Sequence, residues 1–272
     1  MGGMIGDYTK YNLSSEPLWA QFIYEVNLGL KLSKNKNIWL DAGILPSHIG
    51  FESAVSADCY TPSRSLLAET SPYYEMGFKL SFRPKNEKLS LAILALNGWQ
   101  RIRISSDNVL PALGLQVQLK PNKYTLLNYS NFIGKMSNVS FSSLRFFHNV
   151  YVQFSPNDRL GLIAGLDLGM DKYNVKDFGL WYSPVVILRI RIKDQFFWAC
   201  RGEFYGDPHQ IIISTSSPQG FQTYGFSTNI DYLFTKGNTL RIEFKTYYSK
   251  DPIFKENQQS NYSLMINYSI KL

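Results

Sequence analysis

The chain has 272 residues, a mass of 31.2 kDa and a formal net charge of +7, enough for one large all-β domain or two small ones. Charged residues are 18% and aromatics 15% of it; no run approaches the about 18 apolar residues of a transmembrane helix, which excludes that class but not a β-barrel. The Lys and Arg are spread singly with no nucleic-acid motif, which excludes nucleic acid as a partner, and Cys59 and Cys200 match neither a disulfide framework nor a zinc spacing, so they read as unpaired thiols.

Candidate strands come in pairs joined by short polar turns. The first pair is 20–32 and 36–45, across SKN; the second is 73–83 and 87–97, across RPKNE. Next come 111–120 and 123–132 across KPNK, and 145–155 and 159–169 across SPND. The pairs 180–193 with 195–206 (turn KDQ) and 222–234 with 238–249 (turn TKGN) follow, and the stretch Asn261–Leu272 closes the chain. Pro, Gly, Asn, Asp and Lys fill the short turns, as hairpins require. Between pairs the connections are longer: 46–72, 98–110, 133–144, 170–179, 207–221 and 250–259. Alternating short and long connections fit an outer-membrane barrel, with tight turns at the periplasmic end and longer loops outside.

The final stretch shows the repeating unit most clearly. Tyr262, Leu264, Ile266, Tyr268, Ile270 and Leu272 share one face, and Ser263, Met265, Asn267, Ser269 and Lys271 the other. That alternation is long enough to cross a bilayer as a tilted strand. In 20–32, Phe22, Tyr24, Val26, Leu28, Leu30 and Leu32 oppose Gln21, Glu25, Asn27, Gly29 and Lys31. In 73–83 the apolar face opposes Glu75, Lys79 and Arg83, and in 238–249 it opposes Arg241, Glu243 and Lys245. The apolar face is free of charge in all three, as lipid contact demands, because Arg or Lys at the midplane costs about 2–4 kcal/mol there. Strand 87–97 is apolar on both faces.

The expected fold is therefore all-β: one antiparallel transmembrane barrel, residues 1–272, with about thirteen strands present of fourteen. Two downward strands would otherwise meet in parallel, whereas bacterial single-chain barrels have even strand numbers. The expectation is that Met1–Ile5 ends an additional upward strand. No signal peptide is visible at Met1, so a signal peptide and most of that strand are expected upstream.

The sequence resembles a known family in AGILPSHIGFES (42–53), SRSLLAETSPYYEMGFKL (63–80), NGWQRI (97–102), RFFHNVY (145–151), RGEFYGD (201–207) and RIEFKTYYSKDPIF (241–254). Together these resemble the putative β-barrel porin-2 (OmpL-like) family of Bacteroidetes-type outer-membrane proteins. The resemblance implies an outer-membrane barrel that passes small solutes, and it supplies no catalytic residues.

The connection 46–72 is too long for an ordinary hairpin and is expected to be functional. Arg64 and Glu69, flanking Leu66 and Leu67, are candidates for a constriction. The segment either folds inward to narrow the pore or caps the rim. The residues expected to line the lumen are Glu25, Lys31, Glu75, Lys79, Arg83, Arg189, Arg191, Arg201, Glu203, Arg241, Glu243 and Lys245. Eight are basic and four acidic, which suggests a mild preference for anions. Alternatively, Arg201 with Glu203 and Arg241 with Glu243 neutralise one another and brace the wall.

Other chemistry has little support. An outer-membrane phospholipase carries its catalytic pair as His-x-Ser; His48, His148 and His209 lie in other contexts. His48 with Glu52 or Asp58 has no recognisable metal spacing, and His148 reads as a polar group near the rim. No cofactor, metal or enzymatic role is expected. The expected function is passive diffusion of small hydrophilic solutes, with a filled, non-conducting structural or surface-interaction barrel as the alternative. The partners are outer-membrane lipid, the solutes and the barrel-assembly machinery during biogenesis, with self-association left open.

Overall fold

A computed structural model of the chain describes residues 2–5, 9, 18–104, 110–137, 142–235 and 237–270. Fourteen strands form a single sheet in which each pairs with its neighbours in sequence. They are β1 (Gly2–Gly3), β2 (Ile23–Lys31), β3 (Ile38–Pro46), β4 (Tyr74–Phe82), β5 (Leu89–Leu96), β6 (Ala112–Asn122) and β7 (Thr125–Ser137). Then follow β8 (Ser142–Phe154), β9 (Leu160–Lys172), β10 (Phe178–Lys193), β11 (Phe196–Asp207), β12 (Phe221–Thr235), β13 (Asn238–Ser249) and β14 (Ser260–Ile270). Every pairing is antiparallel. Among the described residues the sheet ends at β1 and β14.

Each of the thirteen expected strands has its counterpart. The fourteenth is β1, which lies within the expected Met1–Ile5 and pairs as Gly2 with Glu25 and Gly3 with Ile23. Two connections are shorter than the sequence suggests. β7 runs on to Ser137 and β8 begins at Ser142, and β9 runs to Lys172 while β10 begins at Phe178. The ladder continues there because polar residues pair across it: Arg145 on β8 holds Asp171 on β9 at 3.0 Å. Alternation of apolar residues fades in these ends, so periodicity ends one strand too early and starts the next too late.

The two faces separate as a barrel requires. Along β13, Arg241 is 3% exposed, Ile242 46%, Glu243 0% and Phe244 42%. Polar and charged side chains are buried inside while apolar ones form the outer band, the reverse of a soluble sandwich. No helix among the described residues is long and apolar enough to cross a membrane. An α-helical turn, α1 (Leu66–Glu69), belongs to the connection between β3 and β4, with Ser65 Oγ capping its N-terminus by accepting from Ala68 N.

The double apolar character of β5 now has a cause. Its inward residues Ala92, Leu94 and Leu96 pack in one buried cluster with Ile49 from the long connection and with Phe132, Phe147, Trp181 and Tyr205 from β7, β8, β10 and β11. Both faces of β5 meet apolar material, lipid outside and filling inside. His148 is a correction to the sequence reading: it lies at the middle of β8, outside the lumen face carrying Phe147 and Asn149, and its Nδ1 is 2.9 Å from the Tyr129 hydroxyl. Tyr129 on the neighbouring strand β7, half-buried like His148 itself, is its hydrogen-bond partner where a place at the rim was expected.

Candidate functional site

The connection from β3 to β4, residues 47–73, carries few backbone hydrogen bonds of its own beyond α1 and two short turns. Buried backbone groups need partners, and here the charged residues of the wall supply them. Glu203 on β11 accepts from Leu66 N at 2.5 Å, and Glu243 on β13 accepts from Ser63 N at 2.7 Å. Within the segment, Glu52 accepts from Ser65 N at 3.1 Å. The carbonyls are met in the same way. Arg241 donates to the carbonyls of Ser56, Cys59 and Tyr60 at 2.8, 3.0 and 2.8 Å, and Lys245 donates to that of Arg64 at 2.8 Å. The segment therefore lies inside the sheet, against the inner face of β11–β13.

Arg201 is the hub of this contact. Its side chain is fully buried, with Nε 3.1 Å from Glu203 and its two Nη atoms 3.7 Å from Glu52 and Glu243. It also donates to Thr61 Oγ1 at 2.8 Å and to the Ser63 carbonyl at 3.0 Å. One guanidinium among three carboxylates works because those carboxylates take backbone N–H donors as well. Of the two bracing pairs read from the sequence, Arg201–Glu203 is formed, whereas Arg241 takes Asp231 at 3.1 Å in place of Glu243. Asp231 is its cross-strand partner in the β12–β13 register, closer than a same-strand neighbour two residues away.

A second anchor holds the start of the segment. His48 Nδ1 lies 2.6 Å from Glu75 Oε2, and Nε2 lies 2.8 Å from the Asn131 carbonyl. Both ring nitrogens face acceptors, so the imidazolium, which donates from both, is the form that fits. Burial alone would lower the His48 pKa, but the charge and hydrogen bond of Glu75 outweigh it and raise it above the ordinary 6.5. A Cβ on Gly114 would come within 2.7 Å of His48 Nε2, so that strand position must be glycine for the ring to seat. Farther along, Ser71 donates to Asp167 on β9 at 2.7 Å.

The outer half of the lumen along β5–β12 is filled differently. Trp99 packs edge-on against Phe132 and Phe147, with ring centroids 5.1 and 4.9 Å apart. Arg145 lies over both Trp99 and Trp181, at 4.9 and 5.2 Å. Ile211, Ile212 and Ile213 cover this cluster from the connection after β11, where Asp207 accepts all three of their N–H groups.

The residues expected in the lumen fall into three groups. Glu75, Arg201, Glu203, Arg241, Glu243 and Lys245 are buried; Glu25, Lys79, Arg189 and Arg191 are half-buried; Lys31 and Arg83 are exposed. Lys79 pairs with Asp41 at 3.5 Å, Arg189 with Asp231 at 3.4 Å and Arg191 with Asp158 at 2.6 Å. Arg64 is buried in the inserted segment, bonded to the Thr61 carbonyl at 3.1 Å, and Glu69 is half-buried in α1. The sequence reading missed Asp41, Arg145, Asp167, Asp171, Asp207 and Asp231. Each shares the inward parity of its strand, a signal that was available in β8–β12. Glu52 turns to Ser65 and Arg201, and His48 turns to Glu75, so the two do not form a metal pair. Among the described residues no group of three or more His, Cys, Asp or Glu side chains is placed to hold a metal ion.

A family model described as putative beta-barrel porin-2, OmpL-like, matches residues 3–272. The chain belongs to this family. Its fourteen-stranded sheet is accordingly that of an outer-membrane porin barrel. Among solved structures the chain is similar to the anion-selective porin from Comamonas acidovorans, with TM-score 0.65, 10% identity, and 92% of this chain and 78% of that one covered. It is also similar to Salmonella typhi OmpF in complex with daunomycin, with TM-score 0.59, 10% identity and coverages of 86% and 74%. A Vibrio cholerae OmpT lacking loop L8 gives TM-score 0.54, 9% identity and coverages of 90% and 78%. At these identities the likeness bears on the fold alone. No curated protein matches the chain in sequence.

Proposed function

We propose that this porin passes small hydrophilic solutes through a narrow passage beside the wall formed by β14, β1, β2, β3 and β4. The observation that carries the reading is a contrast in exposure among inward-facing residues. Asn261, Ser263, Gly29 and Lys31 are exposed and Asn267, Asn27, Asp41 and Lys79 half-buried, while Asn149, Asp167, Arg201 and Glu243 on β8, β9, β11 and β13 are buried. The segment 47–73, with Arg64 and Glu69, is the constriction in this reading.

The mild anion preference rests on fewer residues than the sequence count suggested. Arg201, Arg241 and Lys245 are buried and spent on the inserted segment, and the added aspartates offset the rest of the excess. Lys31, Lys79 and Arg83 remain at the passage against Glu25 and Asp41, and the nearby turns add Lys34, Lys36, Lys85 and Lys88 against Glu87. A basic mouth raises local anion concentration, and salt weakens the effect. Outer-membrane lipid surrounds the apolar band, and the barrel-assembly machinery is the partner during biogenesis. No catalytic role is assigned: His48 is held by Glu75 and Asn131, and His148 by Tyr129.

The filled, non-conducting barrel is the second reading, favoured by the aromatic cluster around Trp99 and Phe147. Reversal potential in a salt gradient across planar bilayers tests both. The expected result is a small shift toward anions that disappears in Lys31→Gln/Lys79→Gln/Arg83→Gln. Silent bilayers containing verified, folded protein would favour the filled barrel.

A further inference from the structure

At the short-turn end of the lumen, below the inserted segment, lies a cavity of about 220 Å³. Its walls include Tyr60, Ser155, Asp158, Arg159, Arg189 and Phe197. We propose that this cavity is a binding site for a small hydroxylated carboxylate arriving from the side of the short turns. It is separate from the passage beside β14 and β2.

Apolar residues bound the cavity on the β9–β10 side. In the β9–β10 register Gly161 stands opposite Arg189, then Ile163 opposite Ile187, then Gly165 opposite Val185. Ile163, Ile187 and Val185 form one apolar cluster with Leu67, onto which Phe51 and Tyr60 pack. That cluster packs above the Arg189 layer on the β9–β10 side, where a further cavity of about 170 Å³ lies between Phe51, Tyr60, Ile163 and Ile187. A volume of about 220 Å³ corresponds to roughly seven waters at about 30 Å³ each, which suits one small molecule and not a polymer.

The charge around the cavity points to an anion. Arg159 and Arg189 line it, and Arg191 and Arg241 stand behind; the carboxylates are Asp158 and Asp231. Asp158 is held by Arg191 at 2.6 Å, and Asp231 by Arg241 at 3.1 Å and Asn229 at 2.6 Å. Arg189 gives Asp231 only a long contact of 3.4 Å from Nη2. A guanidinium has five N–H donors in a fork that matches a carboxylate, so Arg189 keeps donors to spare. Its plane is steadied by Phe197 at 4.2 Å and Tyr60 at 5.5 Å from the ring centroids.

The neutral groups explain the hydroxyls. Tyr60 Oη and Ser155 Oγ lie 3.4 Å apart at the cavity wall, a weak contact between two groups that each donate and accept. A ligand hydroxyl can improve on it with both. Gly161 shapes this wall, since a Cβ there would lie 2.4 Å from Tyr60 Oη.

The test is binding of D-glucuronate to the full folded chain in detergent, measured by calorimetry, with D-glucose and inorganic phosphate as comparisons. No current is measured, so a silent or a conducting barrel leaves the result readable. Saturable glucuronate binding is expected, with none for glucose and at least tenfold weaker binding for phosphate. Arg189→Gln should weaken glucuronate at least tenfold. Arg159→Gln, at the exposed mouth where folding is not at stake, should weaken it several-fold. Absence of saturable glucuronate binding, or unchanged affinity in both variants, overturns the proposal. Phosphate binding as tight as glucuronate overturns the hydroxylated class.

Discussion

Arg201 and Ser63, 138 residues apart in sequence, are joined twice inside the lumen: Nη1 donates to the Ser63 carbonyl and Nη2 to its Oγ, each at 3.0 Å. The amide of the same serine donates to Glu243 at 2.7 Å. A residue with no secondary structure of its own thus has every polar group met by the barrel wall. The lumen charges of β11 and β13 are there to satisfy an inserted backbone, and their pairing follows from that role.

Removing the hub leaves Glu52, Glu203 and Glu243 buried without their shared cation. Breaking a buried ion pair on one side costs about 3–5 kcal/mol. Arg201→Gln is therefore expected to lower the temperature at which the folded band converts in heat-modifiable gel mobility. Arg201→Gln/Glu203→Gln should recover part of the loss, because one stranded carboxylate is gone. An unchanged transition in Arg201→Gln would contradict the hub.

His48 gives the account a pH dependence with a definite sign. Its folded-state pKa is raised above 6.5, principally by Glu75 acting against burial. The folded state then holds the proton more tightly than the unfolded chain. The stability it contributes is fully present below pH 6.5 and is lost as pH rises through the raised value. Thermal stability of the wild type should fall on going from pH 6 to alkaline pH, and His48→Gln should lose that part of the slope. A wild type that becomes more stable over this range would refute the imidazolium assignment.

The barrel was legible in the sequence because lipid outside and polar groups inside force strict alternation, as in β13 and β14. The inserted segment was legible only as a long connection. Its inward course depends on contacts between Ser63 and residues such as Glu243, 180 positions away, which no local pattern encodes. The inward aspartates of β3, β9, β11 and β12 could have been found by parity, which, with Arg145, would have removed the apparent basic excess. The apolar lumen face of β5 could not, since an apolar residue facing lipid and one facing the Ile49 cluster look alike.

Cys59 reports on the seating of the segment. It is buried and unpaired, and burial pushes its thiol pKa up, so little reactive thiolate is exposed. In a Cys200→Ser background, a water-soluble maleimide should label Cys59 slowly in the folded protein and at least tenfold faster in Arg201→Gln. Equal, rapid labelling of both would mean that the segment is not held inside.

The central claim is that segment 47–73 occupies the lumen and sets the width of the passage. Single-channel conductance in planar bilayers tests it most directly, comparing the wild type with a variant in which residues 49–71 are replaced by a short Gly-Ser linker. The account predicts a small wild-type conductance and one several-fold larger in the variant. Equal conductance in two folded, inserted proteins would contradict it.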